Sequence, residues 1–195
     1  MGHVGINLKH YNGVPAEQML QNKRLVIYGI QDLPPIVTRG VLLDIAALKG
    51  VEILEAGTPI NQKEIEAAMA RQGVTIGKGD VVILHTGWLS LADKDPEKMM
   101  ASEPGLSVDG ASYLASMGVV AVGADNWGLE HLPFADPDRP YEVHQILIAK
   151  NGVYILEYIK TDELVRDGID EFMFVLSAPR FDGTVQSVVN PVAIR

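Results

Sequence analysis

A chain of 195 residues with 47% hydrophobic content can bury one sizeable core and is too short to need two, which predicts a single domain over residues 1–195. A formal net charge of −9, from 25 acidic against 16 basic residues, argues against nucleic acid and against an anionic membrane as partner, since both demand a Lys/Arg face. With no cysteine there is no disulfide framework, no thiolate nucleophile and no Cys-based zinc site, so any metal must sit on His, Asp or Glu. The N-terminus shows no basic segment followed by an apolar one, and no apolar stretch approaches a bilayer span; a cytoplasmic protein is the expectation.

In chain order, the run Arg39 to Ala47 is short, apolar and bounded by Gly, as a buried strand should be. A helix follows, with Asn61 as N-cap, Glu64 at capping-box spacing, Ile65, Ala68 and Met69 on one face, and Gly73 as its stop. Asp80 to Thr86 reads as the next buried strand. A second helix is predicted from about Val108 to Met117, ended by Gly118 and leading into the strand Val119 to Gly123. Phe172 to Leu176 is a late strand, and the Pro/Gly-rich stretches around Pro34-Pro35, Asp93 to Pro104 and Leu132 to Pro140 read as long loops, where sites tend to be built. The alternation of strand and helix signals predicts an α/β fold.

The stretch from Pro140 to Ile159 has two readings. If Asn151-Gly152 is a hairpin turn, Ile146 faces Glu157 and His144 lies diagonally beside Glu157 on the same face. If Asp138 caps a helix whose first turns hold Pro140 and Glu142, Gly152 is its stop and only Val153 to Ile159 is strand; Gly after Asn and Pro in a first turn favour this version. In either case Glu157 is a lone carboxylate in the apolar run Val153 to Ile159. Such a group either faces solvent on an edge strand or is protonated, paired or metal-bound, and an upstream imidazole at His144 directs attention to a divalent cation.

These residues carry a family resemblance. Val143 to Glu157, together with Pro35 to Asp44, Gly79 to Trp88 and Gly123 to Trp127, resembles the cyclase-like metal-dependent hydrolases, the group of kynurenine formamidase and isatin hydrolase. Four separated segments match in order across nearly the whole chain. The resemblance implies a swivelling β/β/α domain, usually a homodimer or a larger homo-oligomer. In it one or two divalent ions, zinc or manganese, activate water to open an amide, an arylformamide or a small cyclic amide. The family's His-x-Gly-Thr-His-x-Asp-x-x-x-His motif is matched only at its end, where His3 in Met1-Gly2-His3-Val4-Gly5 corresponds to the final histidine, a proton donor or acceptor. His144 and Glu157 match the downstream metal ligands. The two earlier histidines and the aspartate have no counterpart, so the chain reads as lacking the family's N-terminal portion, and a metal-free, non-catalytic binding or scaffold paralogue is the alternative.

The other candidates read more plainly. His85 and His131 suit hydrogen-bonded structural roles, and His10 suits the surface. Trp88 and Trp127, with Phe134 and Tyr141, lie in or beside long loops and are expected either to wall a small-molecule aryl substrate or to pack in the core. Asp125 either carries function at a strand end or starts a turn, and Asp44 satisfies local backbone. The terminal Met1-Gly2-His3 also offers donors that suit copper or nickel, with no physiological use expected.

Overall fold

The computed structural model describes Met1–Arg195, and its centre is a six-stranded mixed sheet. Its strands are β1 (Ile36–Asp44), β2 (Val81–His85), β3 (Ala121–Ala124), β4 (Tyr154–Leu156), β5 (Glu171–Leu176) and β6 (Val192–Ile194), in spatial order β6-β5-β1-β2-β3-β4. β1 to β4 run parallel in chain order, whereas β5 pairs antiparallel with β1 and β6 antiparallel with β5. β2, β3 and the second half of β1 are buried on both faces, which is why they read as continuous apolar runs.

One face is covered by the crossover helices. α1 (Ile45–Leu48) and α2 (Gln62–Gln72) connect β1 to β2, α3 (Pro96–Ala101) and α4 (Val108–Ser116) lie between β2 and β3, and α5 (Glu142–His144) leads toward β4. Ile65 and Ala68 of α2, Ala111 and Leu114 of α4, and Val143, Ile146 and Leu147 at and after α5 meet Val41, Leu43, Val82, Leu84 and Val122 in the main core. Each fully buried Leu or Ile there contributes roughly 2 kcal/mol by leaving water. The other face, around Leu42, Ile83, Phe172, Phe174 and Leu176, is closed more thinly by α6 (Asp162–Arg166) and by loop residues such as Leu33 and Val189.

Local chemistry explains the element ends. In α2 the Glu64 carboxylate accepts the Asn61 backbone N–H at 3.1 Å, and Gly73 adopts φ 71° to end the helix. α4 ends before Gly118, also at positive φ. Three expectations need correcting. The strand read as Arg39 to Ala47 begins at Ile36 and stops at Asp44, because the Asp44 side chain accepts the Ala47 N–H and caps α1. The supposed loop from Asp93 to Pro104 contains α3, capped by Asp95 onto the Lys98 N–H with Pro96 in the first turn. The segment after Pro140 is helical, not a hairpin, but its helix starts at Glu142 and not at an Asp138 cap, and continues as a wider π-helix over Gln145–Lys150 before Gly152, at φ 66°, lets the chain turn into β4.

Candidate functional site

The carboxyl ends of the four parallel strands carry Asp44, His85, Asp125 and Glu157 at or just beyond the last strand residue, the edge where open α/β sheets place ligands. Asp44 caps α1, and two more of these are structural. Asp125, fully buried, accepts the Thr86 N–H at 2.9 Å, the Thr86 hydroxyl at 2.5 Å and the Gly87 N–H at 2.8 Å, tying β3 to β2. Burial pushes its carboxyl above the ordinary range, against the pull of His85 and of those hydrogen bonds. His85 places Nδ1 2.7 Å from the Thr161 hydroxyl, the satisfied role expected of it.

Glu157 is different. β4 ends at Leu156, and the chain then leaves the ladder, with the Tyr158 N–H donating to the Asn126 carbonyl at 2.8 Å. Glu157 is therefore not a strand-buried carboxylate: its side chain is 38% exposed and lies 3.5 Å, Oε1 to Nε2, from His144, whose side chain is 6% exposed. On the far edge of the same ring, Nδ1 lies 2.6 Å from the buried Glu130 carboxylate, and Tyr141 packs edge-on with centroids 5.5 Å apart. Burial alone would lower the basicity of His144, but hydrogen bonds to Glu130 and Glu157 outweigh it and hold its pKa up at about 9.

His3 completes the polar end, its ring centroid 6.1 Å from that of His144. Burial, then the neighbouring His144, lowers its pKa, so His3 is neutral at pH 7 and able to accept a proton. All three residues line a cavity of about 680 Å³ with mostly apolar walls, among them Ile36, Ile148, Ile155 and Leu176, and with no Lys or Arg. Tyr158 faces the same space. Trp88 does not: it is 0% exposed, packs with Leu91 and Met99, and donates its indole N–H to the Met99 carbonyl, so the expectation of a substrate-facing Trp88 is corrected to a core residue. Trp127, half-buried, donates to the same carbonyl at 3.0 Å and is likewise absent from the cavity wall. Of the four aromatic candidates, only Tyr141 stacks on the site, with Phe134 behind it at 4.9 Å.

The sequence reading missed two carboxylates. Glu130 touches His144 only because the segment between β3 and α5 doubles back beside Leu106, a contact with no local signature. Glu103 is fully buried; it accepts the Trp127 N–H at 2.7 Å through one oxygen and leaves the other without a partner. Burial drives its pKa to about 8, against the hydrogen bond from Trp127, with Glu157 and Glu130 adding to the rise.

The donors present can be tested against the divalent ion that the resemblance implies. An ion about 2.1 Å from each of two atoms 3.5 Å apart subtends an angle of about 110°, which suits two corners of a tetrahedron. The contact of Nδ1 with a carboxylate is the usual support of a ligating histidine. No group of three His, Asp or Glu side chains converges on one point, whereas a catalytic zinc normally takes three protein ligands. The pair fits an ion and does not by itself close a shell.

The architecture and the paired His144 and Glu157 define an α/β domain of the swivelling β/β/α type with an imidazole–carboxylate centre at the edge of an apolar cavity. The Cyclase family model matches residues 9–131, and the chain belongs to that family of cyclase-like hydrolases. Among solved structures it is similar to one described as a novel cyclase, at 30% identity and TM-score 0.87, covering 100% of this chain and 67% of that one. It is also similar to isatin hydrolase A from Ralstonia solanacearum, at 18% identity and TM-score 0.66, with 84% of this chain and 62% of that one covered. A third is described as a "predicted metal-dependent hydrolase" from Bacillus stearothermophilus, at 19% identity and TM-score 0.58, with 80% and 62% covered. The chain thus spans about two thirds or less of the length of these proteins. No curated protein matches it.

Proposed function

We propose that this chain carries the His144–Glu157 part of a metal-dependent hydrolase site that opens an amide, an arylformamide or a small cyclic amide. The observation that carries the reading is the 3.5 Å approach of His144 Nε2 to Glu157 Oε1 on the wall of the large apolar cavity. A bound zinc or manganese ion would supply hydroxide near neutral pH and polarise the scissile carbonyl. His144 and Glu157 would hold that ion. His3, neutral and beside them, would take a proton at an imidazole nitrogen and return it to the leaving nitrogen. The apolar walls would exclude water from the aryl body of the substrate, and Tyr141 would cover the outer edge of the His144 ring.

We place this work in the cytoplasm, on a small-molecule substrate and in a homodimer; no helix is long and apolar enough to cross a membrane. Val37, Met173, Val192 and Ile194 are exposed where β1, β5 and β6 lie side by side, an apolar surface suited to a second copy. Light scattering at micromolar concentration is expected to give the dimer mass, and a monomer mass would remove this part of the reading.

The absence of a third convergent ligand favours a second reading, in which the fold is kept as a non-catalytic binding or scaffold protein. Hydrolysis of N-formylkynurenine and isatin with added zinc or manganese separates the two. With only two donors the proposal expects slow turnover that rises with metal concentration and vanishes in Glu157→Ala. Turnover that is absent at every metal concentration supports the second reading.

A further inference from the structure

We propose that Glu130 is a positioning residue for the reactive pair: by accepting the Nδ1 proton of His144, it turns the Nε2 edge of the ring toward Glu157 and the cavity. This deepens, and rests on, the reading of His144 and Glu157 as the reactive centre. A carboxylate can only accept, so the 2.6 Å contact assigns the proton to Nδ1. The opposite neutral tautomer would aim the Nδ1 lone pair at the Glu130 carboxylate and the Nε2 proton at Glu157, leaving the cavity without a free lone pair.

Glu130 is itself held in place. It is buried, its N–H donates to the Gly128 carbonyl at 2.6 Å, and its strand-like pairing with Leu106 is extended by the His131 N–H on the Leu106 carbonyl at 3.3 Å. The oxygen that meets Nδ1 also lies 3.4 Å from the His144 backbone N–H, so one atom fixes both the ring and the start of its helix. With Tyr141 against the ring, the imidazole has little freedom to rotate. Such outer contacts typically change metal affinity by about 10–100-fold when removed.

The test uses the whole chain. Long-range 1H–15N correlation spectra of the imidazoles, assigned with His144→Ala and recorded on the alkaline side of the His144 titration, are expected to show the Nδ1–H tautomer. Glu130→Gln, whose amide can donate as well as accept, is expected to mix the tautomers; Glu130→Asp, one methylene shorter, should do the same while keeping the charge. Calorimetric titration with zinc should show affinity about 10–100-fold weaker in both variants. A dominant Nε2–H tautomer in the unmodified chain overturns the proposal, and so does unchanged zinc affinity in both variants when His144→Ala abolishes binding. Were His144→Ala itself to bind zinc undiminished, the reactive-centre reading would fail, while the tautomer result would still decide what Glu130 does to the ring.

Discussion

Two carboxylates stand one strand apart on the same edge of the sheet and do opposite things. Asp125, after β3, is sealed from water and accepts three hydrogen bonds from Thr86 and Gly87. Glu157, after β4, meets one imidazole nitrogen and opens onto a cavity. The difference comes from position in the sheet. β3 has neighbours on both sides, so an acid at its end finds donors just beyond β2, whereas β4 is an edge strand with no outer neighbour to supply them, and its residues help line the cavity. A buried carboxylate whose acceptor capacity is used up is a structural tie, and one with capacity left over beside an imidazole is a place where chemistry can occur.

The sharpest way to break this contrast is to truncate each acid in turn. Asp125→Ala strands buried donors on Thr86 and Gly87 and is expected to cost about 3 kcal/mol or more in urea unfolding. Glu157→Ala, at a half-open site where Glu130 still pairs with His144, should cost under about 1 kcal/mol while removing metal-dependent turnover. Equal losses of stability would erase the distinction.

Glu103 provides a second, smaller effect. Its pKa, raised by burial to about 8, lies above the value in an unfolded chain, so its contribution to stability is full below about pH 4 and drains away as pH rises to about 8. Glu103→Gln should accordingly raise the melting midpoint by about 5 °C at pH 8 and leave it unchanged at pH 4, as scanning calorimetry can check. A smaller effect still concerns metal uptake. Because a proton held on His144 up to about pH 9 competes for Nε2, zinc affinity should climb between pH 6 and about pH 9 and then level off in calorimetric titrations. A pH-independent affinity would place the ion elsewhere.

What the sequence revealed follows the range of the interactions. The capping box of α2, the glycine stops at Gly73, Gly118 and Gly152, and the apolar runs of β2 and β5 are local, and they are legible. His144 and Glu157 were legible through family resemblance, and their spacing alone left their separation open. β1 was read too far because Ile45, Ala46 and Ala47 continue its apolar character, although Asp44 is a recognisable cap. Trp88 was misread because an aromatic beside a loop signal gives no hint that Leu91 and Met99 will enclose it. Glu130 and Glu103 were invisible, since each matters only through partners brought close by the return of the chain between β3 and α5.

The central claim, that His144 and Glu157 form the reactive centre, is tested most directly by an anomalous difference map from a crystal of this chain soaked in zinc or manganese. The account predicts a peak between His144 Nε2 and the Glu157 carboxylate, about 2.1 Å from each, with Nδ1 still on Glu130. A peak at His85 and Asp125 instead, or a fully loaded crystal with no density between His144 and Glu157, would contradict it.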